Sequence, residues 1–115
     1  MVRRSIHDVL LRRLREPRRF IQVLAGPRQV GKTTLARQVM EAMNLPAHYA
    51  SADEPALKAS DWLAQQWEIG RLKARSGPAL LVLDEIQKAQ GWSESVKQLW
   101  DKDAADKTPL RVLLL

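Results

Sequence analysis

Two short stretches hold residue types suited to phosphate and metal chemistry. The first is Gly26-Pro27-Arg28-Gln29-Val30-Gly31-Lys32-Thr33-Thr34, with two glycines, a lysine and two hydroxyls in one loop. It matches G-x-x-x-x-G-K-[ST], with an apolar run before it and a helical pattern after it, as a phosphate-binding loop requires. Gly26 and Gly31 permit backbone angles that turn successive N–H groups inward on an anion. The helix that follows adds the positive end of its dipole. Lys32 supplies a compact charge for β- and γ-phosphates, Thr33 a hydroxyl for Mg²⁺, and Thr34 a hydrogen bond near the α-phosphate. Pro27, Arg28, Gln29 and Val30 contribute backbone. A glycine-rich turn that binds nothing is the competing explanation. A chance match in a chain of this length has a probability on the order of 1%.

The second stretch is Leu80-Leu81-Val82-Leu83-Asp84-Glu85, two carboxylates at the end of an apolar run 52 residues after Lys32. Ligands of open α/β sheets bind beyond the carboxyl ends of the strands. There Asp84 would hold Mg²⁺ through its water shell. Glu85 would polarise the water that attacks the γ-phosphate. Taken alone, the pair reads as the exposed end of a strand; taken with the first loop, it reads as catalytic.

These loops need a scaffold. Phe20–Ala25 reads as a short buried strand, and a helix follows from Thr33 with Ala36, Val39, Met40 and Met43 on one face, stopped by Asn44 and Pro46. Ala47–Ser51 reads as a second strand. A helix from a Ser60 cap to about Ser76 carries Trp62, Leu63, Trp67, Ile69 and Leu72, with Gly70 an anomaly inside it. Gly77-Pro78 breaks the chain before the strand Ala79–Leu83. A last helix, capped by Ser93, carries Val96, Leu99 and two tryptophans, Trp92 and Trp100, and Leu110–Leu115 begins another strand. Alternating helices and fully apolar strands predict an α/β fold with a parallel sheet covered on both faces.

The 115 residues suit one ordinary domain, and 45% hydrophobic content can supply its core. The absence of cysteine fits a reducing cytoplasm, and no apolar run is long enough to cross a bilayer. Charge is unevenly spread. In residues 1–20, seven arginines against Asp8 and Glu16 leave +5, so the other 95 residues carry +1 of the +6 total. Residues 1–17 are expected to form a basic amphipathic helix, with Ser5 near its start and Pro17 at its end. It could meet nucleic-acid phosphates, but a solvated basic face is the favoured reading. The tryptophans read as core or interface anchors. His7 and His48 lack partners at metal spacing. Asp101, Asp103 and Asp106 read as a solvated loop, because a calcium loop would need a glycine and a terminal glutamate.

GPRQVGKTTL, then LDEIQ, then GWSESVKQLWD resemble the AAA-type P-loop ATPase domain of the type-fourteen group. That domain forms the N-terminal part of many prokaryotic ATPases that end in a domain of unknown function. The resemblance spans residues 18–115. It implies ATP and Mg²⁺ as ligands, Asp84 on the metal and Glu85 as catalytic base; Gln87 matches the motif without an assigned role. It also implies the strand order 5-1-4-3-2, hence 1-4-3-2 for the four strands present. In such enzymes a polar sensor follows the fourth strand, and an arginine finger and lid come later. The expectation is therefore a domain truncated before its fifth strand, with β1 an exposed apolar edge and hydrolysis weak or absent without the missing parts. A nucleotide-dependent switch, acting on an unknown protein partner, and a nucleic-acid adaptor are the alternatives. A homo-oligomer is compatible with the full-length protein.

Overall fold

The computed structural model describes residues 12, 21–23, 32–52, 59–89 and 91–115. The proposed loop residues 26–31 lie outside the described residues, as does the expected N-terminal helix apart from Arg12, which is helical and exposed. The described elements are β1 (Gln22–Val23), α1 (Lys32–Met43), β2 (Ala47–Ser51), α2 (Ala59–Lys73), β3 (Ala79–Asp84), α3 (Trp92–Asp106) and β4 (Leu110–Leu114). Single 3₁₀ turns at Ala74–Ser76 and Ile86–Lys88 follow α2 and β3.

The four strands form one sheet in the order β1-β4-β3-β2, and every pairing is parallel. This is the α/β architecture and strand order expected from the sequence. β3 is the core of the sheet: all six of its residues are buried, because it has a strand on each side and helices on each face. A parallel strand enclosed this way cannot alternate polar and apolar residues, which is why Ala79–Leu83 is apolar throughout.

Successive side chains of a strand point to opposite faces, so β3 divides the core in two. Leu80 and Val82 pack with Ala36, Val39 and Met43 of α1, and with Leu113 and Leu115. Leu81 and Leu83 pack on the other face with Trp62, Leu63 and Trp67 of α2 and Val96 of α3. Trp92, Leu99 and Trp100 are partly buried against that second cluster, so all four tryptophans serve the core. Gly70 explains its place within α2 by close approach. A Cβ there would stand 3.3 Å from both Leu110 methyl groups and 3.4 Å from Leu81 Cβ, so the glycine lets the helix lie against the sheet.

Several local expectations need correction. α2 begins at Ala59, which puts Ser60 one residue inside the helix instead of at its cap. Ile69 and Leu72 do not join the buried face of α2; both are exposed, because the sheet-facing stripe runs through Leu63, Trp67 and Gly70. Ser93 does not cap α3. Gly91 holds that position with a φ of 72°, a backbone conformation costly for a side-chain-bearing residue. Asp101, Asp103 and Asp106 lie within α3, not in a solvated loop, and Asp103 is 1% exposed. β1 was expected to be a buried strand. Of the expected strand Phe20–Ala25 only residues 21–23 are described; Gln22 is half-buried and Val23 is 61% exposed, so these two are not the fully buried strand residues expected.

Candidate functional site

β3 delivers Asp84 as its last residue, buried at 7% exposure, at the carboxyl edge of the sheet. Asp84 has the same parity as Leu80 and Val82, so it stands on the face that α1 covers. α1 begins at Lys32, with Thr33 next and the exposed Thr34 after it. The lysine-threonine helix and the first carboxylate therefore lie on the same side of the sheet. Gly26, Pro27, Arg28, Gln29, Val30 and Gly31 lie outside the described residues.

Both oxygens of Asp84 receive hydrogen bonds. The Tyr49 hydroxyl donates to Oδ2 at 2.5 Å, and the Glu85 backbone N–H donates to Oδ1 at 2.8 Å. Tyr49 comes from β2, where it pairs in register with Val82 while Ser51 pairs with Asp84. Tyr49 and Asp84 are thus diagonal neighbours on one face, a separation an aromatic side chain can span.

Glu85 leaves the strand with φ 55° and ψ 35°, the left-handed region that non-glycine residues rarely occupy. That turn aims its N–H back at Asp84 and starts the 3₁₀ turn Ile86–Lys88. Its carboxylate is held locally: Gln87 Nε2 donates to Glu85 Oε2 at 2.9 Å, and Lys88 Nζ lies 3.9 Å from the same oxygen. Backbone strain of this kind persists where the surrounding structure over-determines it, often at functional sites.

Sequence reasoning found Asp84 and Glu85 but not Tyr49 or the hydrogen bond of Gln87. The signal for Tyr49 was its place two residues before the end of β2, which acquires meaning only once β2 is paired with β3. His48, dismissed as a zinc ligand, has its Nε2 at 2.7 Å from Gln66 Oε1. Among the described residues, no three His, Cys, Asp or Glu side chains converge to hold a metal. The donors at the end of β3 instead suit a hard cation. Mg²⁺ is commonly bound by one or two carboxylates, with substrate phosphates and water completing its shell. A single buried carboxylate, oriented by two donors and facing the α1 layer, fits that pattern.

The AAA domain family model matches residues 18–114. The chain belongs to the AAA domain family. No curated protein matches it. The AAA domain accounts for the parallel sheet in the order 1-4-3-2 and brings with it a nucleotide-binding, ATPase-like function. Among the described residues, no helix of this AAA domain is long and apolar enough to cross a membrane.

Proposed function

We propose that this AAA domain binds ATP with Mg²⁺, the first loop serving as a Walker A element and Asp84-Glu85 as a Walker B element. The observation that carries the reading is the position of Asp84: at the carboxyl end of β3, on the face of the sheet that α1 covers. In that arrangement the backbone of Gly26–Gly31 and the N-terminus of α1 cradle the phosphates, and Lys32 neutralises the β- and γ-phosphates. Thr33 and Asp84 hold the cation, Asp84 through water. When bound, Mg²⁺ offsets the charge that builds between the β- and γ-phosphates. Glu85 accepts a proton from the attacking water as the β–γ phosphoanhydride bond breaks. Its left-handed turn follows the last residue of β3, and its carboxylate meets Gln87 and Lys88.

Calorimetry with ATP and Mg²⁺ tests the reading. Lys32→Ala is expected to weaken binding by roughly 10- to 100-fold, the value of one charge-assisted hydrogen bond. Unchanged affinity in that variant would overturn the phosphate cradle.

A further inference from the structure

We propose that Tyr49 is a positioning residue for the metal-holding carboxylate, its hydroxyl orienting Asp84 toward the cation's water shell. The proposal rests on the reading that Asp84 serves Mg²⁺. Three observations support it. First, the bond is specific in direction: the phenol donates to Oδ2 while the Glu85 N–H donates to Oδ1, so the carboxylate plane is held at both oxygens. Secondly, Tyr49 is itself held. Its ring packs against the cluster of α1 and β3 residues that includes Ala36, Val39 and Val82, and the Arg37 guanidinium of α1 stands 5.7 Å from the ring centroid. Thirdly, Arg37 lies one turn beyond Thr33 on the helix proposed to carry the phosphate cradle. A line of contacts therefore runs from the nucleotide helix through Arg37 and Tyr49 to Asp84. Groups that orient a metal-binding carboxylate in this way set the metal's affinity as well as the geometry, and their loss costs roughly 10- to 100-fold in affinity.

The competing explanation is a tyrosine that only stabilises the fold. Tyr49→Phe separates the two, because it keeps the ring, its packing and its contact with Arg37 and removes only the hydroxyl. ATP affinity would be measured by calorimetry in EDTA and over a range of Mg²⁺ concentrations, with thermal melting in EDTA alongside. The expected result is an unchanged affinity in EDTA and a roughly 10- to 100-fold higher Mg²⁺ concentration for half-maximal enhancement of ATP binding. A lowered melting temperature with wild-type Mg²⁺ dependence would overturn the proposal and leave Tyr49 a structural residue. Asp84→Asn is the control. If the wild type binds ATP with no Mg²⁺ dependence, or Asp84→Asn leaves that dependence intact, the underlying reading of Asp84 fails, and the role of Tyr49 fails with it.

Discussion

The backbone at Glu85 couples two carboxylates for which different tasks are proposed. Its left-handed conformation allows the N–H to bond Asp84 Oδ1, and the same turn carries its own side chain to Gln87 and Lys88. Glu85→Gln keeps the shape and the backbone bond and removes the basic oxygen. Binding of ATP and Mg²⁺ by that variant should stay within about twofold of wild type, while any γ-phosphate turnover falls by roughly 10²–10⁴, the usual contribution of a general base. A phosphate-release assay beside the calorimetry checks both parts, and normal turnover would remove Glu85 from the role of base. Lys32, Thr33, Asp84 and Glu85 stand out in the sequence because their types and order along the chain suffice to suggest a role. Their supports do not. Gln87 reaches Glu85 only because of an unusual φ, and Tyr49 reaches Asp84 only through a strand pairing 35 residues long in sequence.

Between elements, a buried polar tie joins α2 to α3. Asp103, buried in α3, accepts 2.7 Å hydrogen bonds from Trp67 Nε1 and from Arg71 Nε, and Arg71 also donates to the Leu99 carbonyl at 3.2 Å. Removing one member of such a set leaves buried donors without a partner. Asp103→Ala is expected to destabilise the fold by about 3–5 kcal/mol, read from urea unfolding. Gly70→Ala sets two effects against each other. Helix propensity favours alanine by about 1 kcal/mol, but the added methyl meets Leu110 and Leu81 in a filled core, where overpacking costs roughly 1–3 kcal/mol. The net expectation is a loss, partly recovered when Leu110→Val is added; two independent, additive losses would show that the contact is not the cause. These elements explain why Asp103 was misread. In the sequence it sits between Asp101 and Asp106 like a surface acid, and its partners Arg71 and Trp67 are 32 and 36 residues away. Gly70 reads as a weakness in α2 for a similar reason: the residues it lies against, Leu81 and Leu110, are distant in the chain.

At the scale of the whole molecule, β3 is buried along its length and β1 stands last in the order of the described strands. The apolar runs made the enclosed strand and the parallel class legible, while the strand order came through the resemblance to a known domain and not through any pattern in the residues. A ligand bridging the start of α1 and the end of β3 would tie that helix to the sheet it packs against. At a free ATP–Mg²⁺ concentration of 100 times Kd, linkage adds about 2.7 kcal/mol of stability. For a chain of this size that raises Tm by roughly 8–12 °C, and at the same ligand concentration the rise should fall to about half or less in Lys32→Ala. Scanning calorimetry with and without the nucleotide checks it. The bond at Asp84 has one more consequence, which is magnetic. Tyr49 is the only tyrosine in the chain, so a ring-labelled ¹³C-tyrosine sample yields one set of aromatic resonances. The chemical shift of its phenol carbon then reports the state of the carboxylate directly, residue-specific from the first spectrum and needing no engineered probe.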